Sequence, residues 1–174
     1  NIVYSAKKAT FMIANLSLAL VFNKEETNCS CFDLVGTPFY MAVDLFADLV
    51  VEPTGRLRFV HDPFKADVYS VGVMMLECLW INMKIHKDDI MTIKRVFNLR
   101  ELKTLDDLLE LCELKHREHN LFVSIIRKKP SAFEKLPEYD KIKEVLENLI
   151  FEDATARFDA YQAKNALSRV NSAD

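Results

Sequence analysis

DPFKADVYSVGVMMLECLW, Asp62 to Trp80, is the stretch on which the fold turns. Asp62 followed by Pro63 reads as an N-cap and a first-turn proline, where the missing amide hydrogen costs nothing because it has no intrahelical partner. From Val68 onward Val71, Val73, Met74, Met75, Leu76, Leu79 and Trp80 leave almost no polar stripe. A helix that is apolar nearly all round is expected to be buried, with other elements against every side. Asp67 and Glu77 interrupt the run, which falls short of the roughly 20 apolar residues that a bilayer span needs. The prediction is therefore a buried central helix over 62–81. Gly72 in its middle costs about 0.5–1 kcal/mol against alanine, so a close approach of another element to the backbone is expected there.

Outward from that helix, the composition sets the frame. The chain has 174 residues, 50% of them apolar and 28% charged, with a net charge of −3. That balance leaves no electrostatic footprint for nucleic acid or an anionic membrane. Only 3 glycines and 5 prolines argue against linkers and against an all-β fold rich in tight turns. Four cysteines, Cys29, Cys31, Cys78 and Cys112, make no disulfide framework for a chain of this size, and Cys78 falls in the buried helix. Reduced thiols in a cytoplasmic compartment are the expectation. Cys29-Ser30-Cys31 reads as two exposed loop thiols, since a metal would need two further ligands that its surroundings lack.

In chain order, Ile2–Tyr4 and Thr10–Ile13 are short apolar runs that suit a hairpin, and Leu18–Phe22 is a third candidate strand. Residues 23–30 are polar and read as a surface loop. A turn at Gly36–Tyr40 leads into an expected short helix over Met41–Val50. Beyond Trp80 the pattern is helical. Asp88 or Asp89 caps a helix to about Phe97, Thr104 caps one to His119, and Leu121–Ile126 forms a shorter apolar run. Ile142, Val145, Leu146, Leu149 and Ile150 make an amphipathic stripe. Asp159 with Gln162 is a capping box for a last helix carrying Ala163, Ala166, Leu167 and Val170. The fold class is mainly α: a helical bundle around a buried central helix, with a short β-hairpin at the N-terminal end.

Four motifs in order carry a resemblance to the eukaryotic protein kinases. Gly36-Thr37-Pro38-Phe39-Tyr40-Met41-Ala42-Val43-Asp44 resembles the GT-P-x-Y-M-A-P-E segment that closes the activation segment. Lys65–Val73 is similar to the start of that family's central helix, S-D-V-Y-S-F-G-V. Asp153-Ala154-Thr155-Ala156-Arg157 has the spacing of its late D-P-x-x-R motif. Ile13-Ala14-Asn15-Leu16-Ser17-Leu18-Ala19 lines up with I-A-D-F-G-L-A, and Asn1-Ile2-Val3 resembles the end of the catalytic loop. The resemblance covers nearly the whole chain and implies one kinase-like C-terminal lobe over 1–174. Its parts would be β elements at 1–22, an activation-segment-like stretch at 23–44, the central helix at 62–81, a helical insertion at 99–137 and the last helices at 138–171. The N-terminal lobe and the catalytic loop fall outside this chain.

What the resemblance implies about chemistry is mostly loss. Phosphoryl transfer needs a strand lysine paired to a glutamate, a glycine-rich loop and a catalytic aspartate, and the matched segment begins after all three. The magnesium-binding aspartate maps onto Asn15, a neutral amide and a weaker ligand for a hard cation. Its neighbours map onto Leu16, which still suits an apolar socket, and onto Ser17, which lacks glycine's freedom. Asn1 and Asn15 would be a metal and nucleotide remnant. No catalytic residue, no metal site and no cofactor are expected, with ATP and magnesium relevant only if a competent N-terminal half exists. Gly36, Thr37, Pro38, Tyr40, Ala42 and Asp44 would form the substrate-side turn of the activation segment. Asp67 would hold the catalytic-loop backbone or act as a first-turn helix acid, Gly72 would serve helix packing, and Arg157 would pair with Asp44. Thr27 and Ser30 fall where activation loops are often phosphorylated, or simply in a solvated loop.

Two other groupings carry less. Lys115-His116-Arg117-Glu118-His119 echoes the catalytic H-R-D in the wrong chain order. With Glu113 it also has metal-like helical spacing, but no second such pair exists among four histidines, so it reads as a solvated helix face. The insertion at 99–137 is either a docking face or packs back on the lobe. The expected function is a pseudokinase-like interaction, scaffold or allosteric module. It would bind protein partners, with 99–137 a candidate face and an N-terminal kinase lobe in cis or a partner chain as the occupant, and neither nucleic acid nor membrane. The alternative is the C-terminal part of an active serine/threonine kinase, and a helical adaptor unrelated to kinases comes last.

Overall fold

A computed structural model describes residues 1–22, 29–31, 35–47, 49–54, 57–83, 104–128, 136 and 138–171. The first element is an antiparallel hairpin, β1 (Ile2–Ser5) with β2 (Thr10–Ile13), in which Ile2 faces Ile13 and Ser5 faces Thr10. Its turn closes through the Lys8 amide donating to the Ser5 carbonyl at 3.2 Å, with Ala9 at φ 48°. No strand follows at Leu18–Phe22. Leu16–Leu18 is instead a single 3-10 turn, and residues 19–22 join no sheet.

A second, unexpected sheet comes next. β3 (Cys29–Cys31), β4 (Leu49–Val51) and β5 (Leu57–His61) form a three-stranded antiparallel sheet in the order β3-β5-β4. Cys29, Ser30 and Cys31 are thus strand residues rather than part of a loop, paired with His61, Val60 and Phe59. The helix expected over Met41–Val50 shrinks to a 3-10 turn at Val43–Phe46. β-branched Val50 and Val51 go to β4, a backbone conformation that suits β-branched residues better than a helix.

Among the described residues four α-helices make up most of the remainder: α1 (Pro63–Met83), α2 (Leu105–Lys128), α3 (Tyr139–Leu149) and α4 (Ala160–Asn171). The caps read from sequence form. Asp62 Oδ1 accepts from the Phe64 and Lys65 amides at 2.9 and 3.1 Å. Thr104 and Asp107 bond reciprocally at 2.8 and 3.1 Å, as do Asp159 and Gln162 at 2.8 and 2.7 Å. The helix capped by Thr104 does not stop at His119. It runs unbroken through Leu121–Ile126, since nothing between Lys115 and Ile126 breaks a helix. The helix expected near Asp88–Phe97 lies outside the described residues.

The core joins Phe39, Ala42, Val43 and Phe46 to Tyr69, Val73 and Leu76 of α1, and to Leu108, Leu111, Phe122 and Ile126 of α2. α3 closes it with Leu146, and Ile150 follows at its end, while Val68, Val145, Leu149 and Ala163 join α1 to α3 and α4. The close approach at Gly72 is real: a Cβ there would meet Ile150 Cγ2 at 2.6 Å and Leu149 Cβ at 2.8 Å. α1 is not buried on every side, however. Phe64, Asp67, Val71 and Cys78, at helical spacing, form an exposed row. Its apolar character all round overstated its burial, because only the rows packed on the turns, α2, α3 and α4 are covered. Among the described residues no helix is long and apolar enough to cross a membrane.

Candidate functional site

The segment Gly36–Asp44 is shaped by its backbone. Gly36 adopts φ 116°, open to glycine at little cost. Pro38–Tyr40 forms a 3-10 turn in which the Tyr40 amide donates to the Thr37 carbonyl at 3.0 Å. The Thr37 side chain makes no cap bond and is exposed, so its part in the turn is its carbonyl. Pro38, Phe39, Met41, Ala42 and Val43 are buried beneath. Tyr40 is tied to α1 at both ends: its hydroxyl donates to Glu77, and its carbonyl accepts from Ser70 Oγ at 2.8 Å. Burial, then the Glu77 bond and charge, push the Tyr40 phenol well above the ordinary tyrosine range.

Arg157 is the organising cation. Its guanidinium is buried and pairs with Asp44. It also donates to the carbonyls of Phe151 at 2.9 Å, Lys65 at 2.9 Å and Glu152 at 3.1 Å, and lies 5.0 Å from the Tyr69 ring centre. Lys65 returns the contact, its ammonium donating to the Arg157 carbonyl. A buried arginine is tolerable only when its donors are spent in this way. The shorter Asp44 carboxylate reaches because the Val43–Phe46 turn carries it toward the loop after α3. Asp67, by contrast, is exposed and makes no hydrogen bond to a described residue. Partial desolvation raises its carboxyl, with nearby His61 acting the other way.

Asn1 and Asn15 come together at the open end of the hairpin. Asn15 Nδ2 donates to Asn1 Oδ1 at 3.2 Å, and the Ala14 amide donates to the Asn1 carbonyl at 2.8 Å. Asn15 is the residue with positive φ, at 59°, a conformation asparagine tolerates better than most side chains. Ser17 does not need glycine's freedom; its hydroxyl donates to Asn15 Oδ1 at 2.9 Å. Leu16 fills no socket and is 68% exposed, because the 3-10 turn directs it away from the core. Thr27 lies outside the described residues, and of Ser30 only the strand backbone is described.

The residues that spacing assigned to a solvated face of α2 are mostly buried. Lys115, Glu118 and His119 are 0%, 1% and 5% exposed. Lys115 donates to the carbonyls of Pro38 at 3.0 Å and Phe39 at 3.4 Å and pairs with Glu118. His119 Nδ1 stands 3.2 Å from the Tyr69 hydroxyl. Burial lowers the Lys115 ammonium and raises the Glu118 carboxyl to about 7. The missed signal was positional. Leu108, Leu111, Lys115, Glu118, Phe122 and Ile126 keep one three-and-four spacing, so these charges lie on the apolar stripe. His116 and Arg117 do face outward, to Glu152 and Glu113 at 3.4 Å each.

A cleft of about 600 Å³ opens beside this network, lined by His61, Asp62, Lys65, His116 and residues 151–155. Its polar groups are largely committed: Asp62 to the α1 cap, Lys65 to Arg157, and Asp153 to Thr155 at 2.7 and 2.8 Å. Among the described residues no group of three or more histidine, cysteine or acidic side chains could hold a metal ion. Comparison with family models, curated proteins and solved structures finds no match.

Proposed function

We propose that the chain is a kinase-like C-terminal lobe of pseudokinase type, acting as a protein-interaction or allosteric module without transferring phosphate. The observation that carries this reading is the Asn1–Asn15 amide pair, at the position where the resembled family binds magnesium. The Asn15 oxygen is engaged by Ser17 and the Asn1 oxygen by Asn15. Two neutral amides supply none of the anionic charge with which a hard divalent cation is normally held beside phosphates. The Asp44–Arg157 pair supports the same alignment, since it joins two positions that the motifs matched independently.

The interaction half of the reading rests on exposed apolar surface. In the hairpin Val3, Tyr4, Phe11 and Ile13 are 55%, 56%, 72% and 77% exposed. A two-stranded hairpin open on both faces is at best marginally stable in water. The occupant that fits is an N-terminal kinase-type lobe in cis or a partner chain that lays its own apolar face there. The 99–137 region is the weaker candidate for docking, because the apolar residues of α2 face the core and leave Leu109 as its one large exposed hydrophobic among the described residues.

The competing reading, an active kinase whose N-terminal half lies outside this sequence, draws on the convergence of Asn1 and Asn15 at one place. Nucleotide titration of the polypeptide as it occurs in its source, with and without magnesium, separates the two. The proposal expects no magnesium-dependent phosphate transfer. Transfer that is present, and lost on Asn15→Ala, overturns it.

A further inference from the structure

Lys115 reaches from the middle of α2 to two carbonyls of the Pro38–Tyr40 turn, 76 and 77 residues away in the chain. It thereby ties the longest of the described helices to the Gly36–Asp44 segment. All three of its N–H groups have acceptors: Pro38 O, Phe39 O and Glu118 Oε1. Glu118 is less well served. It is 1% exposed, and its second oxygen, Oε2, is buried with no hydrogen-bond partner among the described residues. A dry carboxylate with one oxygen unpartnered is a poor place for a full negative charge. An orphaned buried acceptor of this kind calls for an explanation in a native fold.

We propose that Lys115 and Glu118 form a proton-operated brace: the Gly36–Met41 turn is held against α2 while Glu118 carries a proton, and loosens when that proton leaves. The surroundings set the balance. On α2, Lys115 favours the ionised carboxylate, while His116 and His119 stand close by. From α1 the Tyr69 hydroxyl faces the group. From the loop after α3 come Glu152 and Arg157, and from the Val43–Phe46 turn comes Asp44, which act together with Glu118 on the Tyr69 hydroxyl. Burial outweighs Lys115 and raises the Glu118 carboxyl to about 7. Burial acts on Lys115 in the opposite sense, lowering its ammonium, with Glu118 resisting.

The sign follows from linkage. With the turn open and Glu118 in water, its carboxyl titrates near the ordinary value of about 4.3. The closed form therefore holds the proton more tightly between that value and about 7. Closing takes up a proton from solvent, and rising pH favours opening. The loss runs between about 4.3 and about 7 and levels off above that, where both forms have given up the proton.

Amide hydrogen exchange of the full chain across Gly36–Met41, corrected for intrinsic rates, tests this between about pH 4.5 and about pH 8. The Tyr40 and Met41 amides, bonded to the Thr37 and Pro38 carbonyls, are the reporters. Their protection should fall by up to about tenfold per pH unit as closure is lost. Glu118→Gln, a neutral shape-mimic of the protonated acid, should keep the acid-side protection at every pH. Protection independent of pH in the wild type, or an unchanged slope in Glu118→Gln, overturns the proposal. If that variant does not fold, carbon NMR titration of the wild-type Glu118 carboxyl decides. A midpoint near 7 supports the brace, and an ordinary carboxylate midpoint removes it.

Discussion

Gly72 and Arg157 show how much rests on single positions. Alanine at Gly72 would gain about 0.8–1 kcal/mol of helix propensity. Its Cβ would sit inside contact distance of Ile150 and Leu149, and overpacking of this kind costs about 1–3 kcal/mol. The neighbours belong to the end of α3 and cannot swing aside, so the steric term wins. Gly72→Ala is expected to lose about 1–2 kcal/mol in urea unfolding, and a stabilised variant would show that the approach is looser than described. This residue was legible in sequence, because a glycine inside an apolar helix has few other reasons to be there. Leu16 was not: an apolar residue in a matched position suggested a socket, and nothing local announced that the 3-10 turn would point it to solvent.

Among the elements, α2 departs furthest from its sequence reading. Charge density at Lys115–His119 suggested a wet face, yet the spacing of Leu108, Leu111, Phe122 and Ile126 already placed Lys115 and Glu118 on the inward stripe. Composition and periodicity disagreed, and periodicity was the better guide. The energetic consequence is specific. Lys115→Met should cost about 1–3 kcal/mol, because it takes the donor from Glu118 Oε1 in a dry interior and cuts the tie between α2 and the turn. Lys115→Met with Glu118→Leu should recover most of that loss, since replacing both partners of a buried polar contact by apolar residues of similar shape is often nearly neutral. Thermal unfolding of the two variants checks this, and equal losses in both would mean that the carbonyl contacts outweigh the pair. The cap at Thr104 and the capping box at Asp159 were read correctly because they are local, whereas β3, β4 and β5 were missed because their pairing joins segments far apart in the chain.

Seen whole, the molecule is a helical body with a small sheet along it and an apolar hairpin left open. The helices could be read from amphipathic spacing, and the Gly36–Asp44 turn and Arg157 from ordered motifs. The relation between them could not, since it depends on contacts across most of the chain. The Asp44–Arg157 pair spans 113 residues, and the reciprocal Lys65–Arg157 bonds span 92. Contacts of that reach carry the full entropy of closing a long loop and form only once the helices between them have docked. Arg157 is thus a clasp fastened at the end of folding rather than a seed at its beginning. Substituting it, as in Arg157→Met, should accelerate unfolding in stopped-flow experiments while leaving the folding rate nearly unchanged. The lifetime of the assembled body, more than the speed of its assembly, depends on that one guanidinium.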